Sequence, residues 1–430
     1  MALETKSRSL LSSNGVLTQD GRTDRSRNST LVGWLLNRLY ESIGQPPIRI
    51  RLWDGTEIGA PEDAAAPTVT IRNRKALLQT MLYPELFFGE LYSEGSIEVD
   101  GELLELLELA YRALHDAPAP GVLRKQAMRW LSRPRKNSLA GSRRNIHQHY
   151  DIGNDFYRLW LDEEMVYTCA YFPSPEAALE EAQRAKMDHV CRKLRLQPGE
   201  TVVEAGCGWG SLALHMARHY GVSVKAYNIS REQIRFARER AKALGLDDRV
   251  QFIEDDYRTI AGKFDAFVSI GMLEHVGADH YRDLGAVIHR CLRENGRGLI
   301  HSIGRNRPAP MNAWIERHIF PGAYPPALRE MMHILEPWEF SVLDVENLRL
   351  HYAKTLEHWL DRYEHHAPQI REMFDARFVR AWRLYLAGSI AAFTTGALQL
   401  FQIVFARPRD NGIPWTRAHL YRDQAFQAPS

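Results

Sequence analysis

The residues with the clearest capacity for chemistry form one run, Glu204-Ala-Gly206-Cys-Gly208-Trp-Gly210, entered from Thr201-Val-Val and followed by Ser211-Leu-Ala-Leu-His. A strand passing straight into closely spaced glycines lets a ligand approach the backbone, because glycine takes the tight turn and leaves no Cβ in the way. The helix that follows presents its first N–H groups and the positive end of its dipole to the same ligand, which favours an anionic group such as a carboxylate. A hydride cofactor is the competing occupant, but its usual signature is GxGxxG with an acidic residue about twenty positions on. This chain reads GCGWG, with Asn228-Ile229-Ser230 after the next strand-like segment and Asp255-Asp256-Tyr257 after the third. Elsewhere Asp255 and Asp256 would be a solvated loop pair. At the carboxyl edge of an open α/β sheet, where ligands bind, Asp256 becomes a ligand candidate.

Other reactive side chains are scattered. Cys169, Cys191, Cys207 and Cys291 form no CxxC pair, so neither a zinc site nor a disulfide framework is expected. His147, His149, His365 and His366 come without a Cys or carboxylate partner set, and no metal is expected. Nothing near Cys169 marks it as an activated thiolate, and a lone cysteine ordinarily behaves as a small buried hydrophobe.

The elements that must position these groups alternate. Strand-like TVVEAGC, SVKAYNI, VQFIEDD, FDAFVSI and RGLIHSI are separated by helical segments, the rhythm of a doubly wound parallel sheet. Before them, residues 31–116 have a pattern of their own. A short helix (VGWLLNRLYESI) leads into IRIRLW, the turn Asp54-Gly55, TVTIRN, a helical LLQTMLY, and a strand ending at Asp100-Gly101 that gives way to a leucine-rich helix. A small α+β unit fits. Ala117-Pro-Ala-Pro-Gly121 breaks it, and Arg124, Lys125, Arg129, Arg133, Arg135, Lys136, Arg143 and Arg144 follow with no acidic residue among them. This basic linker, with Leu123, Trp130 and Leu131, is either solvated or laid on an anionic bilayer, where each Lys or Arg contributes about 1 kcal/mol. The expected organisation is a disordered tail 1–30, the small unit 31–116, the linker 117–140, an α/β part 141–410 and a C-terminal tail 411–430.

A chain of 430 residues exceeds what one core usually serves, and a formal net charge of +2 gives no argument for nucleic-acid binding. Residues 1–30 lack the apolar run of a signal peptide, which points to a cytoplasmic protein. Tyr385 to Phe405 carries no charge and is long enough to cross a bilayer. Its Ser389, Thr394, Thr395, Gln399 and Gln402, with the strand-like alternation of LQLFQIVF, favour a buried soluble segment instead.

Two stretches upstream of the glycines narrow the reading: Asn145-Ile-His147-Gln-His149-Tyr150-Asp151-Ile-Gly153-Asn154-Asp155-Phe156-Tyr157, and Met165-Val-Tyr167-Thr168-Cys169-Ala-Tyr171-Phe172. With Gly271-Met-Leu-Glu274-His275, His301-Ser-Ile303-Gly304 and Trp314 to Gly322, they resemble cyclopropane fatty acid synthases and the related mycolic acid cyclopropane synthases and methyltransferases. The resemblance spans about residues 145 to 405, and the small unit is similar to the lipid-associated domain those synthases carry. It implies a class I methyltransferase fold, a Rossmann-like doubly wound α/β sheet, behind a small N-terminal α+β domain. The implied cofactor is S-adenosylmethionine, held by Tyr167, Thr168, Glu204, Gly206, Gly208, Asn228, Ser230, Gln233, Asp256 and Tyr257. The loop after the second strand would take the ribose, and the acidic residue after the third would lie by the adenine.

The implied reaction is methyl transfer to the double bond of an unsaturated phospholipid acyl chain, with a bound bicarbonate removing a proton so that a cyclopropane ring closes. An alkene is a poor nucleophile, and its transfer needs a dry, apolar pocket that keeps water from the cation. Tyr150, Phe156, Tyr167, Tyr171, Phe172, Trp314 and Phe320 can supply that lining, although at least half should be plain core aromatics. By resemblance, Cys169, Glu274, His301, Ile303 and Tyr352 hold the bicarbonate: Glu274 and His301 through a bond or shared proton, Tyr352 through its hydroxyl, Cys169 and Ile303 through backbone groups. The resemblance also implies a homodimer in peripheral contact with an anionic membrane at its cytoplasmic face. Rival readings are a methylene or methyl-branched product, a noncatalytic lipid-binding protein on the same scaffold, and a small-molecule or nucleic-acid methyltransferase. Intact Gly206, Gly208, Glu274 and His301 count against the second, and the lipid-family stretches against the third.

Overall fold

The computed structural model describes residues 31–61, 64–116 and 152–421. The expected tail 1–30, the linker 117–140, the stretch with His147, His149, Tyr150 and Asp151, and residues 422–430 lie outside the described residues.

The small unit is a four-stranded sheet of β1 (Arg49–Leu52), β2 (Glu57–Gly59), β3 (Thr68–Ile71) and β4 (Ile97–Asp100), in the order β2-β1-β3-β4. Helices Leu31–Ser42, Arg74–Leu82, Pro84–Glu94 and Leu103–Asp116 accompany it. Asn73 starts the second helix by accepting a bond from the Ala76 N–H, and Gly95 ends the third in a left-handed turn. Leu36, Ile50, Ile71, Leu77, Ile97 and Leu106 make its core. The unit docks on the large part through polar contacts: Glu85 Oε1 accepts from the Ala313 N–H (3.1 Å), Arg380 donates to the Ile97 carbonyl (3.0 Å), and Thr394 Oγ1 donates to Glu108 Oε1 (2.6 Å).

The large part is a seven-stranded sheet. Its strands are β5 (Thr201–Ala205), β6 (Ser223–Asn228), β7 (Val250–Glu254), β8 (Phe264–Ile270), β9 (Leu292–Gly304), β10 (Ser341–Asn347) and β11 (Gln399–Ala406), in the order β10-β11-β9-β8-β5-β6-β7. β5 to β9 run parallel as the rhythm predicts, and β11 is antiparallel to both neighbours. Helices cover both faces, so the central strands read as continuous apolar runs. β5 sits between β6 and β8, where the winding reverses and a crevice opens at the carboxyl ends.

Tyr385–Phe405 divides between the end of helix Ala376–Thr394 and β11. All eight residues of β11 are buried, so the alternation read in LQLFQIVF does not place one face in solvent. Its glutamines are accommodated because each finds a partner: Gln399 with Asn347 (2.8 Å) and Gln402 with Lys193 and His301. Among the described residues no helix is long and apolar enough to cross a membrane. Of residues 411–421, expected as tail, the helical turn Ala418–Tyr421 packs on helix Leu179–Lys193, while 411–417 are exposed. Leu420 is buried, Arg192 donates to its carbonyl (3.3 Å), and Arg417 pairs with Asp344 (2.7 Å).

Candidate active site

A cavity of about 660 Å³ opens at the carboxyl ends of β5 to β8 and runs on to the helices that carry Trp314, Tyr352 and Tyr385. Its polar end is built by the glycine loop. Gly206 and Cys207 both donate from their backbone to the Tyr227 carbonyl (2.9 and 3.1 Å), which ties the loop to the end of β6. Gly206 is left-handed, and a Cβ there would come 2.9 Å from Met272 Cβ. Gly208 is also left-handed, yet among the described residues nothing lies within 4 Å of its would-be Cβ. That backbone faces open space, as close approach of a ligand requires. Asn228 stitches the second loop to the first, donating to the Gly208 carbonyl (3.2 Å) and to Gln233 Oε1 (2.8 Å).

Tyr167, Thr168, Glu204, Gly206, Gly208, Asn228, Gln233, Asp256 and Tyr257 all line this cavity. Ser230 does not. Its hydroxyl caps helix Arg231–Ala243 by accepting from the Gln233 N–H, so it orders the loop rather than facing a ligand. Asp256 is buried, caps the following turn through the Arg258 N–H (2.9 Å) and pairs with the Arg258 guanidinium (3.3 Å). The loop with Tyr167 and Thr168 is pinned from below. Asp162 accepts from the Val166 and Glu164 N–H groups (2.8 and 3.1 Å), and Gln183 donates to the Thr168 carbonyl (2.9 Å).

Sequence reasoning missed Lys186, a buried lysine that lines the cavity and donates to Thr168 Oγ1 (3.0 Å). Burial lowers it to about 8 against the pull of Asp162, and burial raises Glu204 to about 8 against the pull of Lys186. Glu204 Oε2 is buried with no hydrogen-bond partner among the described residues. An orphaned acidic oxygen beside an open glycine loop suits a ligand that brings a cationic amine together with a carboxylate.

Next to it stands the second candidate group. Glu274 Oε1 accepts from the Ile303 N–H (2.6 Å), while Oε2 is buried with no hydrogen-bond partner among the described residues, and the neighbouring Ser302 hydroxyl donates to the Ile303 carbonyl (3.0 Å). Burial pushes Glu274 up to about 7. Glu274, Ile303 and Tyr352 line the cavity. Cys169 and His301 are buried behind its wall. The Cys169 thiol points at the Ala170 carbonyl (3.1 Å) and burial raises its pKa, so it is no thiolate. His301 Nε2 is buried and unpartnered among the described residues.

Of the aromatic candidates, Tyr167, Trp314 and Phe320 line the cavity, and the Tyr167 hydroxyl bonds that of Tyr385 (2.8 Å). Phe156 lies at the centre of a cluster with Tyr157, Trp160 and Trp382, Tyr171 stacks between His189 and His351, and Phe172 stacks on His358. Phe156 and Phe172 are buried and Tyr171 is partly buried, so three of the six candidates among the described residues pack away from the cavity. The nearest ordinary explanation for their motif is therefore folding, which places Tyr167 and Thr168.

The buried carboxyls set a pH dependence. Glu274 and Glu204 titrate at about 7 and about 8 when folded, against 4.5 ordinarily, so ligand-free folded protein holds protons that the unfolded chain has released. Stability from such groups is complete below pH 4.5 and lost as pH rises through the folded values. His275, lowered to about 4 by burial, acts oppositely, but only up to its ordinary 6.5. The ligand-free protein should therefore lose on the order of 2 kcal/mol of unfolding free energy between pH 6.5 and 8, measured by urea titration. Stability that holds or rises across this window contradicts the assignment.

Residues 137–403 match the family described as Mycolic acid cyclopropane synthetase, and residues 35–117 match a Domain of unknown function (DUF7884). The chain is 36% identical over 389 residues to a Pseudomonas putida protein named "Probable fatty acid methyltransferase", covering 87% of this chain and 96% of that one. It is 40% identical over 267 residues to the cyclopropane-fatty-acyl-phospholipid synthase of Escherichia coli, covering 62% of this chain and 68% of the relative. The crystal structure of mycolic acid cyclopropane synthase CmaA1, complexed with SAH and CTAB, aligns with a TM-score of 0.58 at 29% identity, over 61% of this chain and 97% of that one.

Proposed function

The chain belongs to the mycolic acid cyclopropane synthetase family and is an S-adenosylmethionine-dependent methyltransferase, and on that premise we propose that it converts the double bond of a phospholipid acyl chain into a cyclopropane ring. The observation that carries this reading is one continuous cavity, in which the glycine loop and Glu204 give way to Glu274 and Tyr352 and then to Trp314, Ile315, Phe320, Leu384 and Leu398. Bound S-adenosylmethionine supplies an electrophilic methyl group on a sulfonium. Glu204 takes the cofactor's amine, the loop at Gly206 and Gly208 admits its methionine end, and Asn228, Gln233, Asp256 and Tyr257 hold the nucleoside. The apolar end orients the alkene and excludes water, which would otherwise capture the cation formed on methyl addition.

Ring closure requires removal of a proton from the added methyl group. A bound bicarbonate supplies a base there, and the orphaned Glu274 Oε2 and His301 Nε2 suit a small oxyanion with donors and acceptors of its own. Glu274, poised near neutrality, can share a proton with that anion. Exclusion of bicarbonate and carbon dioxide from the assay should lower turnover by about tenfold or more, with recovery on adding bicarbonate. An unchanged rate contradicts the anion's role.

A second reading, a fatty acyl methyltransferase forming a methylene or methyl branch, is favoured by the reach of the Pseudomonas putida relative across 87% of this chain. It shares every cofactor residue: a methylene forms when a different proton leaves, and a methyl branch needs a later reduction by a separate hydride donor. The small unit is proposed to meet the lipid surface: Leu31 and Trp34 on one helix and Leu78 and Leu82 on the helix touching it are more than half exposed.

A further inference from the structure

A row of polar side chains crosses three neighbouring strands behind the cavity. The register sets Glu346 of β10 opposite Gln402 of β11, and Gln402 opposite His301 of β9, so all three share one face of the sheet. Lys193, in the last turn of helix Leu179–Lys193, enters the row from above. Its Nζ donates to Glu346 Oε2 (2.6 Å) and to Gln402 Oε1 (2.7 Å). His189, one turn earlier, reaches Glu346 Oε2 (2.8 Å). Gln402 Nε2 lies 3.0 Å from His301 Nδ1. Gln402, Lys193, His189 and His301 are all buried.

The donors and acceptors leave one arrangement. An amine on lysine donates here, so the amide oxygen of Gln402 faces Lys193 and its NH2 faces His301. That NH2 only donates, so Nδ1 of His301 must accept, and a neutral imidazole then carries its proton on Nε2. We propose that Gln402, locked by Lys193 and Glu346, is a positioning residue that fixes His301 as a neutral Nε2–H donor aimed at the anion cage. Burial and the charges of Lys186 and Lys193 oppose a second proton on the ring, and Glu346, which favours one, is engaged by Lys193 and His189. The consequence rests on the proposed anion site: His301 has no lone pair free on Nε2, so it holds the anion and does not abstract the proton.

The tautomer itself can be read without substrate. Nitrogen NMR on protein labelled with 15N-histidine, with the His301 signal assigned by its loss in His301→Gln, should show Nε2–H in the wild type at neutral pH. A proton on Nδ1, or a doubly protonated ring, overturns the assignment. In Gln402→Glu the carboxylate can only accept, so the proton should move to Nδ1. Turnover should then fall by about 10- to 100-fold, with KM for cofactor and lipid within about twofold of wild type. Lys193→Met frees the amide to rotate and should give a mixture of tautomers with a smaller fall. Gln402→Glu with the wild-type tautomer and wild-type turnover also overturns the proposal. If the wild type shows Nε2–H yet modifies no lipid, the functional reading fails and the tautomer assignment stands.

Discussion

Replacing Glu274 by glutamine is expected to leave the affinity for S-adenosylmethionine within about threefold of wild type while lowering turnover by about 100-fold or more. The amide oxygen still accepts from the Ile303 N–H, so the turn after β8 keeps its shape. What disappears is a carboxyl that burial holds at about 7 and that therefore exchanges a proton easily near neutrality. The amide NH2 can only donate, so it cannot share a proton with an anion beside it. Calorimetric titration of the cofactor beside single-turnover kinetics on lipid separates the two effects. If cofactor binding is lost with turnover, Glu274 belongs to the cofactor site and the anion cage must be redrawn.

The opposite pattern is expected at the glycine loop. Gly208→Val should weaken S-adenosylmethionine binding by about 100-fold or more, because the new side chain occupies the cavity where the ligand backs onto the loop. Among the described residues no atom lies within 4 Å of the added Cβ, so the cost to the fold is that of the left-handed backbone, about 1–2 kcal/mol for a non-glycine residue. A thermal melt establishes that the variant is folded, and titration reads the loss. A folded variant that binds at full affinity would remove the cofactor from this loop.

Much of this architecture was legible in advance because it rests on local rules. Uninterrupted apolar strands mark a sheet covered on both faces, and glycines at a strand end mark a backbone approached closely. β5 to β9 and the glycine loop follow from those signals. β10 could not be found that way, since Ser341-Val-Leu-Asp-Val-Glu-Asn mixes polar and apolar residues at the sheet edge. Lys186 was invisible for a different reason. On helix Leu179–Lys193 it looks like one more surface charge, and only tertiary packing turns it inward to Thr168. The polar row behind the cavity depends on pairing between residues about 55 to 100 positions apart in the chain, Glu346 with Gln402 and Gln402 with His301, which no local pattern encodes. The motif stretches led to both site and core residues, because Tyr167 and Thr168 reach the cavity only when Phe156, Trp160 and Tyr171 are packed behind them.

The central claim is ring closure at the double bond. The measurement that tests it is mass spectrometry of the fatty acids recovered after incubating the purified protein with an unsaturated phospholipid and S-adenosylmethionine, with derivatisation that distinguishes rings from alkenes. The account predicts a gain of one CH2 with no double bond remaining. The same gain with the alkene retained, or no gain at all, would contradict it.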